Sequence, residues 1–372
     1  MSCPEINLDA WSDTLLAPLH QNERYPISAT MDLTERCNLN CVHCYINQPS
    51  GSKIAHAKEL KTDQVKQILD TIADAGCLFL VLTGGDPLLR PDFSEVYIHA
   101  RRRGFIIDLL TNATLITPKI ADMLAESRPH SVDVTLYGAS EETYEAVTRL
   151  PGSFKRLLNG LDLLTERGIR LSLKSIILKT NRHELPALID LAKSYDAPFR
   201  YDGIIWPRLD GDQSPYEYQL SPEELLEMDL EYPNRAEEWR EQAQVFKGQM
   251  VRKEYIYTCG AGLRSFHVDS HGKMSICTMA RKPAYDLTKI RFEEAWDRLA
   301  DLRHEKRTLN TPCETCLAGA LCAQCPGWSQ AVHGDDETPA EFICKLGKLR
   351  AEQFSSSILY YEEMRYENQE II

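Results

Sequence analysis

Three cysteines in one short stretch, TERCNLNCVHCY, carry the clearest chemistry in the chain: Cys37, Cys41 and Cys44 stand in a C-x3-C-x2-C spacing. Three thiolates from a single loop can hold three irons of a cubane iron-sulfur cluster and leave the fourth iron without a protein ligand. An iron left open in this way is useful only to a ligand that arrives from outside. The alternative is a zinc knuckle closed by His43, although zinc sites more often pair two C-x2-C elements. Further on, LTGGDP supplies Gly84, Gly85, Asp86 and Pro87. Glycines at the end of a parallel strand let backbone approach a ligand closely, and Asp86 offers a carboxylate to an amine; by themselves they also make an ordinary strand-to-loop turn. A second group comprises Cys259, Cys277, Cys313, Cys316, Cys322, Cys325 and Cys344. One zinc takes four ligands and leaves three of these seven unexplained, whereas two further iron-sulfur clusters account for more of them. Cys77, at the start of an apolar strand, reads as a small apolar filler, and Cys3 has no better claim.

The elements that must position these groups follow from pattern. In 372 residues, 43% hydrophobic, there is material for a substantial core. No run approaches the roughly 18 to 20 apolar residues of a membrane helix, and the N-terminus lacks the basic start and apolar core of a signal peptide. The chain therefore reads as cytoplasmic, with no membrane partner, and in a reducing compartment twelve cysteines read as ligands rather than disulfides. With 42 Lys and Arg against 55 Asp and Glu, a net charge of −13 repels phosphate backbones, which excludes nucleic acid as the expected partner. Short apolar strands are expected at Ile27–Leu33, Leu78–Thr83, Phe105–Leu110, Val132–Tyr137, Ile169–Leu178 and Phe199–Ile205. Amphipathic helices are expected between them at Thr62–Ala75, Asp92–Arg103, Thr117–Glu126, Ser153–Arg167 and Glu184–Ser194. Repeated strand-helix units imply an α/β fold with a parallel sheet of six strands curled into a partial (β/α)6 TIM-like barrel; an open doubly wound sheet is the alternative. The organisation expected is an N-terminal extension over 1–26, the barrel over 27–206, a polar helical bridge over 207–256 with helices at Pro222–Leu230 and Arg235–Val251, a small cysteine-rich domain over 257–345, and a C-terminal helix over 346–372.

The cysteine loop followed by the glycine pair on such a barrel resembles the radical SAM superfamily. That resemblance implies a [4Fe-4S] cluster on Cys37, Cys41 and Cys44, chelation of its open iron by S-adenosylmethionine, and reductive cleavage to a 5′-deoxyadenosyl radical that abstracts hydrogen from substrate. It places His43 at the aromatic position before the third cysteine, and Gly84, Gly85, Asp86 and Pro87 against the methionyl amine. Asp86 stands where the family has Glu. The strand that often contacts the ribose reads TLYG, keeping a hydroxyl at Thr135, and Arg149 in TRLPGSF sits where relatives often carry an arginine for the cofactor carboxylate.

The last third resembles the SPASM extension of radical SAM peptide-modifying enzymes. By that pattern Cys259, Cys277 and Cys325 would bind a nearer auxiliary [4Fe-4S] cluster, and Cys313, Cys316, Cys322 and Cys344 a farther one, giving three clusters in all. Two residues separate Cys322 from Cys325 where the family usually has three, and no cysteine closely follows Cys259, which leaves the nearer cluster with an open iron or a non-cysteine ligand. The resemblance implies a ribosomally made peptide as substrate, modified by crosslinking, thioether formation, epimerisation or oxidation, and a flavodoxin or ferredoxin-type electron donor. Thr278 follows Cys277 where sulfatase-maturing relatives carry an aspartate. The alternatives are tetrapyrrole side-chain chemistry of the haem or haem d1 pathway, which CNLNCVHCY and TGGDPLLRPDF resemble equally, and a non-catalytic iron-sulfur electron carrier. Fewer than 30 residues precede the first strand, too few for a leader-binding domain, so a separate leader-recognition protein is expected if the substrate carries a leader. The acidic stretch from Asp210 to Glu241 favours a basic substrate segment by steering. Candidate acids or bases at the barrel mouth are Asp202, Asp210 and Asp212.

Overall fold

The computed structural model describes residues 24–46, 48–245, 254–316 and 318–354. Cys3, most of the N-terminal extension, the end of the second bridge helix and the closing helix beyond Phe354 lie outside them.

Six parallel strands are laid down in chain order: β1 (Ser28–Thr34), β2 (Phe79–Gly84), β3 (Ile106–Thr111), β4 (Ser131–Thr135), β5 (Leu171–Ile176) and β6 (Phe199–Asp202). The helices returning the chain between them are α1 (Thr62–Asp74), α2 (Phe93–Arg102), α3 (Pro118–Glu126), α4 (Glu141–Thr148), α5 (Ser153–Glu166) and α6 (Leu185–Ser194). Each has an apolar stripe against the sheet, as Val65, Ile68, Leu69 and Ile72 show on α1. Helix starts follow local chemistry: the Thr117 hydroxyl accepts from the Ile120 N–H ahead of Pro118, and Ser140 accepts from Thr143 N–H to open α4. Ala29, Met31, Leu33, Leu80, Leu82, Ile107, Leu109, Val132, Val134 and Leu173 fill one layer of the core. The strands are a partial barrel rather than a closed one, because β6 pairs only with β5.

The cysteine-rich region extends this same sheet. β7 (Ser265–Val268) lies parallel to β1, in the register Ser28 to Ser265 and Met31 to Val268, and β8 (Lys273–Ser275) and β9 (Ala284–Asp286) add antiparallel beyond it. The sheet thus has nine strands in the order β9-β8-β7-β1-β2-β3-β4-β5-β6. A buried carboxylate fastens the junction: Asp32 on β1 accepts from Arg281 at 3.0 Å and lies 3.0 Å from His267 Nε2 on β7, while His267 Nδ1 lies 3.1 Å from the Ser275 hydroxyl on β8. The bridge contributes α7 (Pro222–Glu231) and α8 (Pro233–Val245), followed after the cysteine-rich strands by α9 (Phe292–Arg303), α10 (Pro326–Val332) and α11 (Glu341–Phe354). Asp229, wholly buried on α7, joins α8 through Arg235 at 2.8 Å and α11 through Arg350 at 2.7 Å.

Candidate active site

The site forms where the six parallel strands end. At the end of β1 the Thr34 hydroxyl accepts from the Arg36 N–H at 3.0 Å. Alongside it the Gly85 N–H donates to the Thr34 carbonyl at 2.7 Å, and the Asp86 N–H donates to the Arg36 carbonyl at 3.0 Å. A Cβ on Gly84 would sit 2.1 Å from the Thr34 carbonyl oxygen, and one on Gly85 2.2 Å from that of Arg36. The glycine pair is therefore what lets the exit of β2 lie against the segment that delivers Cys37.

From Cys37 the chain loops across the end of α4, with the Asn40 and Val42 N–H groups donating to the Thr148 and Val147 carbonyls, each at 3.0 Å. Asn112, just past β3, donates to Asn38 Oδ1 at 3.0 Å and stands 3.6 Å from Cys37 Sγ, and the Leu39 N–H lies 3.4 Å from the same sulfur. Such donors favour a thiolate. Burial, then the nearby Asp86, pushes the Cys37 thiol up to about 12, and burial with the neighbouring Cys44 and Cys37 raises Cys41 well above the usual thiol value. Bare, these thiols keep their protons. As thiolates they need positive charge held among them, which an iron core brings. Among the described residues no three His, Cys, Asp or Glu side chains close tightly enough for a single metal ion. Three thiols from one loop, with donors already aimed at the Cys37 sulfur, are the donor set that a cubane with one open iron takes.

A cavity of about 660 Å³ opens beside the three cysteines. His43, Gly84, Gly85 and Thr135 line it, and so does Asp202, whose Oδ1 accepts from the Gly203 and Ile204 N–H groups at 2.6 and 3.1 Å. The His43 Nδ1 is buried without a partner, its ring 5.0 Å from that of Tyr137. Burial lowers this histidine to about 4. Other residues expected here stand elsewhere. The Asp86 carboxylate is wholly buried and turned away from the cavity wall: it accepts from Leu88 N–H at 3.0 Å, from Asn112 N–H at 2.9 Å and from the Thr111 hydroxyl at 2.8 Å. It clamps the β2 exit to the β3 exit and caps the single turn opened by Pro87. Arg149 closes α4 in a left-handed conformation and donates to the Tyr218 hydroxyl at 3.1 Å. Asp210 and Asp212 are exposed turn residues whose carboxylates accept from backbone N–H groups at 212 and 214, as Asp commonly does in turns. Sequence reasoning passed over Asn112, Tyr45, Trp206, Lys174, Arg200 and Arg235, all of which line the cavity.

In the cysteine-rich region Cys325 lies within electrostatic reach of Cys277 and Cys259, and Cys344 within reach of Cys313, Cys322 and Cys316. A second cavity of about 510 Å³ is lined by Cys313, Cys316 and Cys322. Cys77 is buried, with Ile27 and Phe79 carbonyls 3.6 and 3.5 Å from its sulfur, in keeping with a filler.

An open parallel barrel whose first strand feeds a three-cysteine loop, with a cavity at the strand ends, defines a βα-barrel enzyme built around an iron-sulfur cluster. Residues 31–192 match the model of the Radical SAM superfamily, so this part of the chain is a radical SAM domain, an enzyme unit that uses S-adenosylmethionine and a [4Fe-4S] cluster. The chain is 29% identical over 324 residues to the AdoMet-dependent heme synthase of Methanosarcina barkeri, covering 82% of this chain and 92% of that protein. It is 34% identical over 176 residues to the mycofactocin maturase MftC of Mycobacterium tuberculosis, covering 47% of this chain and 44% of that one, so it spans under half of that relative's length. Its fold resembles that of Streptococcus suis SuiB bound to the precursor peptide SuiA, with a TM-score of 0.67 at 15% identity over 92% of this chain and 84% of that chain. No helix among the described residues is long and apolar enough to cross a membrane.

Proposed function

We propose that this chain modifies a ribosomally made peptide by abstracting hydrogen from a residue held in the 660 Å³ cavity, yielding a crosslink, thioether, epimer or oxidised side chain. The observation that carries the reading is the extent of the likeness to peptide-bound SuiB: it runs through the barrel and onward into the cysteine-rich region. Bound together, the cluster and S-adenosylmethionine supply a one-electron cleavage that gives a 5′-deoxyadenosyl radical. The protein's part is positional. Asn112 and the Leu39 N–H would steady the Cys37 thiolate, the paired glycines would admit the cofactor's methionyl end, and His43 and Thr135 would contact the rest of it. Asp202, which lines the cavity, would be the carboxylate that moves a proton there. Cys259, Cys277 and Cys325 would hold one auxiliary [4Fe-4S] cluster, and Cys313, Cys316, Cys322 and Cys344 a second. A flavodoxin or ferredoxin-type donor, a separate leader-recognition protein and a cytoplasmic setting complete the proposal, since such clusters require a reducing environment.

One observation favours a second reading, tetrapyrrole side-chain chemistry: the heme synthase match spans nearly the whole of both proteins. Anaerobic incubation with reductant and S-adenosylmethionine separates the two. The panels are peptides encoded beside the gene and porphyrin precursors, analysed by mass spectrometry. Loss of two hydrogens from a peptide supports the maturase. Decarboxylation or side-chain loss from a porphyrin, with every peptide unchanged, overturns it.

A further inference from the structure

The far wall of the cavity carries an unusual charge. Strand pairing sets Thr135 of β4 opposite Lys174 of β5, and Lys174 opposite Arg200 of β6. Residues paired across parallel strands share a face, so these three form one tier across the wall, with Ile176 and Asp202 in the next. Of the charged side chains on the cavity, Lys174, Arg200 and Arg235 are cationic and Asp202 alone is acidic, in a chain whose net charge is −13. Two of the cations are satisfied. Arg200 donates to Asp133 at 3.1 Å and Arg235 to the buried Asp229 at 2.8 Å.

Lys174 differs from both. Among the described residues its ammonium has no hydrogen bond or ion pair, and Asp133, the acid whose charge acts on it, already serves Arg200 and the Ser131 hydroxyl. Around it the wall is largely apolar, with Leu110, Ile176, Ile204 and Ile205. Burial disfavours its charged form, Asp133 offsetting part of that effect and Arg200 adding to it. An unpaired ammonium on such a surface is stabilised by an incoming anion. A carboxylate would answer Lys174, and the Arg200 side chain paired beside it on β6 is two-thirds exposed and open to the same ligand.

We propose that Lys174, seconded by Arg200, is the carboxylate-binding subsite of the substrate, so that the peptide enters the cavity with an Asp or Glu side chain beside the carbon that loses hydrogen. This rests on the peptide reading above. The propionates of a tetrapyrrole present the same chemistry, and the test separates the two sources. It also confines acid selection to the cavity, because the acidic exterior offers such a peptide no steering.

The full chain, reconstituted anaerobically and saturated with S-adenosylmethionine, is titrated calorimetrically with acetyl-Ala-Glu-Ala-amide, its Gln twin and coproporphyrin III. The Glu peptide is expected to bind about tenfold or more tightly than the Gln peptide, as one charge-assisted hydrogen bond implies. Lys174→Met should abolish that preference and Lys174→Arg should restore much of it. Equal binding of the twins and of coproporphyrin III by wild type and Lys174→Met overturns the subsite. Weakened S-adenosylmethionine binding in Lys174→Met, with the Glu preference intact, also overturns it and gives Lys174 to the cofactor. A Lys174-dependent grip on coproporphyrin III, with neither peptide bound, upholds the carboxylate subsite and rejects the peptide. The mass-spectrometric assay reports on that reading independently of Lys174.

Discussion

Asp229 offers the sharpest test of how the bridge and the closing helix are held. Its carboxylate is completely buried and receives Arg235 Nε at 2.8 Å on one oxygen and Arg350 Nε at 2.7 Å on the other. Arg350 is itself only 4% exposed, with its guanidinium 4.0 Å from the centre of the Trp239 ring. Asp229→Ala leaves two guanidiniums facing each other without the carboxylate that both of them hydrogen-bond, one of them out of reach of water. Breaking a buried pair in this way costs about 3 to 5 kcal/mol. At about 2.1 cal/mol/K of unfolding entropy per residue, a chain of 372 residues loses about 1.3 °C per kcal/mol, so the apparent melting temperature should fall by about 4 to 6 °C, measured by circular dichroism on anaerobic protein. Asp229→Asn keeps the shape and one acceptor and should lose less. The combination Asp229→Leu, Arg235→Met and Arg350→Met removes all three charges and should melt close to wild type, since apolar replacements of buried ion clusters are often neutral. A melting temperature for Asp229→Ala within about 2 °C of wild type, or a combined variant as weak as the single one, would refute the reasoning.

Three other outcomes follow from the site. Replacing Cys37, Cys41 and Cys44 together by Ala should remove about a third of the iron and all 5′-deoxyadenosine formation; survival of that product would contradict the cluster assignment. Asp86→Ala strips an acceptor from two buried N–H groups and a hydroxyl, at about 1 to 3 kcal/mol for each amide, so it should lower the melting temperature as well as S-adenosylmethionine affinity. Weaker binding with unchanged stability would mean that the carboxylate acts on the cofactor directly. Asp32 is held below the usual carboxylate range, since His267 and Arg281 outweigh its burial. A depressed folded value adds stability that is present above the unfolded value and lost as pH falls through the folded one. The stability gap between wild type and Asp32→Asn should therefore be full at neutral pH and shrink in acid below about 4; a gap independent of pH contradicts the buried pair.

Much of the barrel was legible because its strands are short runs that are apolar throughout or on one face and its helices carry stripes: LFLVLT became β2 to within a residue at each end, and Thr62–Ala75 became α1. The extension of the sheet was not legible. SFHV, KMS and AYD are three or four residues long, without alternation, and β1, the partner that ties them to the barrel, lies far away in the chain. α4 was missed although Ser140 followed by Glu141 and Glu142 is a helix-start signal. At the site, the types and spacing of the cysteines were readable locally. The direction of Asp86 was not, because its partners Thr111 and Asn112 belong to another strand. Nor did the sequence show Lys174 as a cavity residue: Ser172, Lys174 and Ile176 alternate with Leu171, Leu173 and Ser175, but only strand pairing says which set faces inward.

The pairing of β7 with β1 bears on how the chain is made. Asp32 and His267, which meet across that junction, are 235 residues apart. At about 5 to 20 residues per second, a ribosome takes about 10 to 50 seconds to deliver the second strand after the first. Throughout that interval the outer edge of β1 offers unpaired N–H and C=O groups to any neighbouring nascent chain. Copies emerging side by side on one polysome are therefore at greatest risk of joining at this edge. Slower translation of the segment before Ser265 should shift product into aggregates, while supplying residues 257–345 in trans should protect it.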